Sequence, residues 1–296
     1  MISASCDSPE LRNLEKPMPW TEITRPVYCR GGLRYASDTT DEEWALVQPF
    51  MPTRSKVGRP RRTNMRAVWD AIQYIAATGC QWAMLPKDFP PFTTVQYYFY
   101  RLRDSGVLDV LNDALVSASR VLSGRDAAPT AGIIDSQSVK TTESGGPRGF
   151  DMGKKTKGRK RHIVTDTDGN LLGLMTHTAD IQDRDGAPGV IVQAVESYPT
   201  LAHIFADGGY AGEKLHDAMV EMEGPTIEIV RRPPGTTGFV VIARRWVVER
   251  TFAWLGRCRR LAKDWEASIA SADAWVLVAA IRRSARQIAR KVALEF

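Results

Sequence analysis

The sequence is poor in cysteine and histidine, and neither is spaced in pairs. Cys6, Cys29, Cys80 and Cys258 lie far apart with no CxxC, and His162, His177, His203 and His216 are equally scattered. Neither a disulfide framework nor a zinc site is signalled, so any metal is expected on oxygen ligands. Long hydrophobic runs are missing as well. The most apolar segment, residues 274–281, is closed off by Arg282 and Arg283 and reads as a core helix, not a membrane span. The opening MISASCDSPELRN contains Asp7 and Glu10 and lacks a basic start followed by an apolar block. That argues against a secretory signal and for a cytoplasmic protein with no membrane partner.

What is present is the composition of a globular protein. The chain has 296 residues, 43% hydrophobic and 25% charged, which is enough to bury a core without covalent staples. Its formal charge is +6, and the excess is clustered on particular segments, the pattern expected of a protein that meets phosphates.

Residues 1–36 carry Pro9, Pro17, Pro19 and Pro26 without sustained periodicity and read as a loosely ordered leader, with Met18 an alternative start. A helix is expected over 41–50, capped by Thr39 or Thr40. The basic stretch RSKVGRPRRTNMR, residues 54–66, follows. Its Gly58-Arg59-Pro60 core, with Arg61 and Arg62, suits an A·T-rich minor groove, and a solvated loop is the plainer alternative. Further helices are expected over 64–78, ended by Gly79, from Thr93 or Thr94 to 103, and over 108–122. These read either as a helix-turn-helix variant or as a bundle. The bundle, with Trp69, Trp82 and Phe99 in its core, is preferred because the turns are long.

After Gly124 and Pro129 the pattern changes to strands. Residues 133–142 read IIDSQSVKTT, a short apolar run expected to end at Asp135. Residues 162–166 and 171–178 flank Thr167-Asp168-Gly169-Asn170, the strongest short hairpin signal in the chain. A helix is expected over 185–196, and a strand over 202–206 that ends in Asp207 within FADGGYAG. One more strand, 227–230, precedes helices from residue 244 onward. The fold class this implies is α/β with a mixed sheet, preceded by an all-helical N-terminal region.

Asp135 and Asp207 both follow apolar strands, where ligand crevices form in open sheets, although each also suits a turn cap. Glu249, in RRWVVERTFAWLGRCRRLAKD, lies on a helical face with Arg245 and small residues. It either reaches a sheet edge or pairs with Arg245 one turn away. Three converging carboxylates would repel one another unless cations stood between them. Oxygen ligands suit Mg²⁺ or Mn²⁺, and two such ions serve in-line displacement at a phosphodiester. Asp180, Asp183 and Asp185 read as turn and helix-capping residues, one of them close enough to support the site. Residues 145–162, GGPRGFDMGKKTKGRKRH, are expected to form a basic glycine-rich loop beside Asp135. Lys154, Lys155, Lys157, Arg159, Lys160 and Arg161 would tether a polyanion there without reading bases. Arg245, Arg250 and Arg257 add charge on the glutamate helix.

These blocks, from IIDSQSVKTTESGGPRGFDMGKKTKGRKRHIVTD through FADGGYAG to the glutamate helix, resemble those of bacterial insertion-sequence transposases of the IS-five group, within the DDE transposases. The stretch from SDTTDEEWALVQPFMP to QYYFYR resembles their helical N-terminal region. The resemblance covers nearly everything from Met18 onward. It implies an RNase H-like catalytic domain over 127–296 with Asp135, Asp207 and Glu249 as its metal-binding triad, and a helical domain over 37–126 for DNA-end binding. Arg245 fits the arginine-then-glutamate signature; Ile242 stands where a tyrosine is usual and Gly256 where some relatives carry lysine. Double-stranded DNA, as element ends and target, and a homodimer or higher assembly on it are the partners implied. A transposon-derived DNA-binding protein without catalysis, or a nuclease that cuts without joining, are the rival readings.

Overall fold

The computed structural model describes residues 28–53, 62–231 and 243–295. The leader up to residue 27, Gly58, Arg59, Pro60 and Arg61 of the basic stretch, and Ile242 lie outside the described residues.

Among the described residues, α-helices precede the sheet. α1, Asp41–Val47, is closed by a reciprocal capping box between Thr40 and Glu43. α2, Met65–Thr78, begins at Asn64, whose side chain accepts from the Arg66 and Ala67 N–H groups, and ends at Gly79, whose φ of 71° suits glycine. α3, Phe92–Asp104, starts earlier than expected, because the extended Pro91 is its N-cap and Thr93 and Thr94 fall inside the first turn. α4, Val107–Val121, follows the left-handed Gly106. The aromatics pack as a bundle core: Trp69 and Phe99 are buried, and Trp82 is partly buried against them.

The remaining elements are β1 (Ala131–Lys140), β2 (Gly149–Asp151), β3 (Thr156–Asp166), β4 (Leu171–Thr178), α5 (Asp183–Ser197), β5 (His203–Ala206), α6 (Glu213–Glu221), β6 (Thr226–Ile229), α7 (Ala243–Leu255) and α8 (Ile269–Glu295). β1 is central. It runs antiparallel to β3 and parallel to β5, and β5 is parallel to β6. β2 and β4 both pair antiparallel with the far edge of β3. The hairpin turns at Asp168-Gly169 as its sequence demands, with Gly169 at φ 88°.

Two strand limits differ from expectation. β1 continues through Asp135 to Lys140, so that residue is mid-strand, because β3 keeps pairing with β1 well beyond the point where β5 stops. β3 begins at Thr156 and not at His162, and so takes in most of the basic segment expected to be a loop.

Strand alternation sorts the sheet into two faces. Ile133, Ile163 and Phe205 join α7, α8 and the N-terminal helices in one continuous core. Ile134, Val164 and Ile204 join α5 and α6 in the other. α8 binds the first core together: its Trp275 stacks on Phe99 of α3 with ring centroids 4.4 Å apart.

Candidate active site

The register places the two aspartates. Ile133 of β1 pairs with Phe205 of β5, and this is the last pair the parallel strands make. Asp135 and Asp207 each lie two residues further on, at equivalent positions on the face that carries α7, where the strands separate and open a crevice. Asp207 caps the short turn Gly208–Tyr210, its carboxylate accepting from the Gly209 N–H at 2.8 Å. Burial raises the Asp135 carboxyl to about 6, helped by the Asp207 charge and opposed by the Ser136 N–H, Lys154 and Arg245.

Glu249 lies on α7, over the same face, and is half exposed. Arg245 links it to the aspartates: one of its nitrogens, Nη2, lies 3.5 Å from Asp207 Oδ2 and 3.7 Å from Glu249 Oε1. Glu249 therefore pairs with Arg245, as one of the two readings expects, and the same guanidinium also reaches Asp207. Among the described residues no group of three or more Asp, Glu, His or Cys side chains is placed to hold one ion. The chemistry of the donors nevertheless fits a hard divalent cation. They are all oxygens, and the Asp135 carboxyl, raised first by burial, is raised further by the Asp207 charge, which a cation would relieve.

On the opposite face of β1, Ser136 Oγ donates to Asp183 Oδ1 at 2.8 Å, at the start of α5. Lys160 Nζ is 2.7 Å from the same oxygen, and Lys154 Nζ donates to Ser136 Oγ and its carbonyl at 2.9 Å. Burial would raise the Asp183 carboxyl, yet Lys160, Lys154 and Ser136 together hold it below the usual range. The Tyr210 ring is buried here too, with its hydroxyl in the field of Asp135, Asp183 and Asp207. Sequence reading treats Asp183 as a helix-start aspartate with no more weight than Asp180 or Asp185. Only the alternation of β1, which turns Ser136 toward α5, could have singled it out.

The basic residues divide. Arg159, Lys160 and Arg161 are buried in β3, which corrects the expectation that they face DNA from a loop. Arg159 pairs with Asp264 at 3.1 Å and donates to the carbonyls of Pro147 and Ala267; Arg161 donates to the Leu261 carbonyl; Lys160 serves Asp183 and Asp151. Arg159 and Lys160 thus spend their charges on carboxylates inside the fold, as burial requires, and Arg161 is held there by a backbone carbonyl. Lys154, Lys155 and Lys157 remain exposed on the turn and the start of β3, and Arg62 is exposed just before α2. Arg250 is half-buried, its guanidinium over the rings of Trp246 and Trp254, and Arg257 is exposed beyond the end of α7.

A central strand with an acidic residue, a second one at the end of its parallel neighbour and a glutamate on a helix over the same face define an RNase H-like catalytic fold. Comparison with known proteins agrees. The Transposase DDE domain family matches residues 126–282, and the Putative transposase of IS4/5 family matches residues 39–112. A putative transposase for insertion sequence element IS402 from Burkholderia cepacia is 31% identical over 136 residues, covering 44% of this chain and 62% of that protein. The uncharacterized protein y4sN of Sinorhizobium fredii is 35% identical over 69 residues, covering 23% of this chain and 55% of its own. The chain thus spans between half and two thirds of the length of these relatives. It belongs to the DDE transposases of the IS4/IS5 type.

Proposed function

We infer that the protein binds the terminal inverted repeats of its insertion sequence and catalyses metal-dependent phosphodiester hydrolysis at the ends, followed by strand transfer into target DNA. The observation that carries this is the equivalent placement of Asp135 and Asp207 past the Ile133 and Phe205 pair, with Arg245 reaching from Asp207 to Glu249.

Asp135, Asp207 and Glu249 would hold Mg²⁺ or Mn²⁺, two ions in the full site. When bound, such ions lower the pKa of an attacking water and offset charge on the leaving oxygen. The chain's own groups do the rest. Asp135 is fixed in mid-strand by the β1 and β3 ladder, and Asp207 by its turn, so the two carboxylates are positioned before substrate arrives. Arg245 neutralises the approach of Asp207 and Glu249. Lys154, Lys155 and Lys157 offer phosphate contacts beside Asp135, with Arg62, and the sequence neighbours Arg59 and Arg61, serving the helical part. Those contacts position a duplex without reading it. Residues 37–126 would recognise the ends and 127–296 perform the chemistry, and joining two ends calls for at least two copies. A protein acting on chromosomal DNA would work in the bacterial cytoplasm, on the nucleoid when bound.

The deciding experiment incubates the protein with a DNA fragment bearing the element ends and Mg²⁺, beside an Asp207→Asn variant. Cutting followed by joining in the wild type, with binding kept and cutting lost in the variant, is expected. Cutting without joining reduces the activity to a nuclease, no cutting leaves a DNA-binding protein, and cleavage by Asp207→Asn removes that residue from the mechanism.

A further inference from the structure

Away from the carboxylates, the structure holds a cavity of about 510 Å³ between residues 254–258 and α8. α8 lines it with Ala279, Arg282, Arg283, Arg286, Gln287 and Arg290, and Arg257 and Trp254 stand opposite. The α8 positions recur at three- and four-residue steps, so they form one face of the helix. None of Asp135, Asp207 or Glu249 contributes to the lining, and no carboxylate does so among the described residues.

Five guanidinium groups gathered round one cavity repel each other unless something negative meets them. The partners they have are mostly neutral. Arg283 donates to the Gly169 carbonyl and Asn170 Oδ1, Arg286 to the Ala36 carbonyl and Arg282 to the Gln73 carbonyl. These bonds orient the groups without supplying a full counter-charge. The Glu43 carboxylate is 3.8 Å from Arg286 Nε but is already held by Arg30 at 2.7 Å. Burial lowers Arg283 to about 10 against the pull of Asp166 and Asp168, and burial together with Arg282 and Arg30 lowers Arg286 to about 9 against that of Glu43. At the rim, Arg257 is exposed; its backbone N–H donates to the Trp254 carbonyl, and its guanidinium has no hydrogen bond or ion pair among the described residues.

The shape of the cluster indicates which anion fits. From Arg282 to Arg290 the helix advances roughly 12 Å. A single small anion would meet only part of that row, whereas one strand of B-DNA presents a phosphate about every 3.4 Å of axial rise. The flat ring of Trp254, already stacked under Arg250 and Arg283, provides an apolar wall beside the row.

We propose that this cavity is a second phosphate-binding site, which grips the backbone of a DNA strand through Arg257, Arg282, Arg286 and Arg290 apart from the carboxylate crevice. The proposal rests on the reading of DNA as substrate. It joins Arg257 of the glutamate-helix block to Arg282, Arg286 and Arg290 of α8, which no motif-bearing segment contains.

The test measures binding of the full chain to a short duplex by fluorescence anisotropy across a salt series. Variants are Arg257→Ala with Arg290→Ala, the same pair changed to Lys, and Gln287→Glu, which adds negative charge while keeping every arginine. Thermal melting confirms that each variant is folded. The double alanine variant should bind roughly tenfold more weakly or worse. Its slope of log K against log salt should be shallower by about two. The lysine pair should keep the slope, and Gln287→Glu should weaken binding. Unchanged affinity and slope in both the alanine pair and Gln287→Glu, with wild type binding normally, overturn the proposal. So does calorimetric binding of pyrophosphate that saturating duplex fails to displace, which assigns the cavity to a small anion. Wild type that binds no duplex at low salt is a different result and sinks the functional reading itself.

Discussion

Arg120 on α4 and Asp166 at the end of β3 form an ion pair of 2.9 Å with both side chains nearly sealed from solvent, at 7% and 0% exposure. Asp166 also accepts from the Asp168 and Asn170 N–H groups and from Asn170 Nδ2, and Arg120 donates to the Asp126 carbonyl. One contact thus ties the helical region to the hairpin turn. Breaking a buried pair from one side strands the other charge, so Arg120→Met should cost about 3–5 kcal/mol of stability. Urea unfolding at neutral pH measures it, and a loss under about 1 kcal/mol would show the pair to be dispensable.

Arg245 stands between Asp207 and Glu249. Arg245→Ala should leave those carboxylates unshielded, lowering the melting temperature in chelator and enlarging the gain on adding Mg²⁺. Paired melting curves with and without the ion check this. Equal gains in variant and wild type would separate Arg245 from the cation site.

His162 is buried, and neither ring nitrogen has a hydrogen-bond partner among the described residues. Burial first, then the charges of His177, Lys160 and Lys154, lower its pKa to about 3, against the pull of Asp183. Unfolded, the ring takes a proton near pH 6.5; folded, it does not until about pH 3. Its contribution to stability is therefore whole above pH 6.5 and falls away as pH drops toward 3. His162→Phe should flatten that part of the profile by an amount on the order of a few kcal/mol, read from denaturant unfolding at a series of pH values. A profile as steep as wild type would locate the acid sensitivity elsewhere.

Gly158 pairs with Lys140 of β1 and with Gly149 of β2. A Cβ added there would sit 1.9 Å from the Val139 carbonyl oxygen, a backbone atom that cannot swing aside. Gly158→Ala should destabilise by roughly 1–3 kcal/mol or more by overpacking. Chemical denaturation tests it, and a neutral outcome would mean that the end of the β1 and β3 ladder yields readily.

Much of this arrangement is legible in the chain. The hairpin announces itself because Asp168-Gly169 stands between apolar runs, and α2 does so because Asn64 and Gly79 mark its ends with residues suited to those backbone shapes. The aspartates are visible as charges that follow apolar runs, although β1 continues past Asp135. The basic segment misleads because local sequence cannot reveal distant partners. Arg159 is neutralised by Asp264, 105 residues later, and Lys160 by Asp183 across the α5 face. A reader of KGRKRH alone sees unpaired charge and assigns it to solvent. Asp183 is overlooked for the converse reason: its importance comes from Ser136 on another strand. The length of β1 is hidden as well, since DSQSVK has little strand character of its own and is held extended by β3.

Trp275 against Phe99 has a consequence for how the protein is made. Domains usually complete their packing in the order in which they leave the ribosome. Here the earliest helices surface with their aromatic faces bare and must wait for the 27 residues of α8. A copy of the gene with a premature stop ahead of that helix would leave an adhesive fragment for proteases and chaperones, even with all three acidic positions intact.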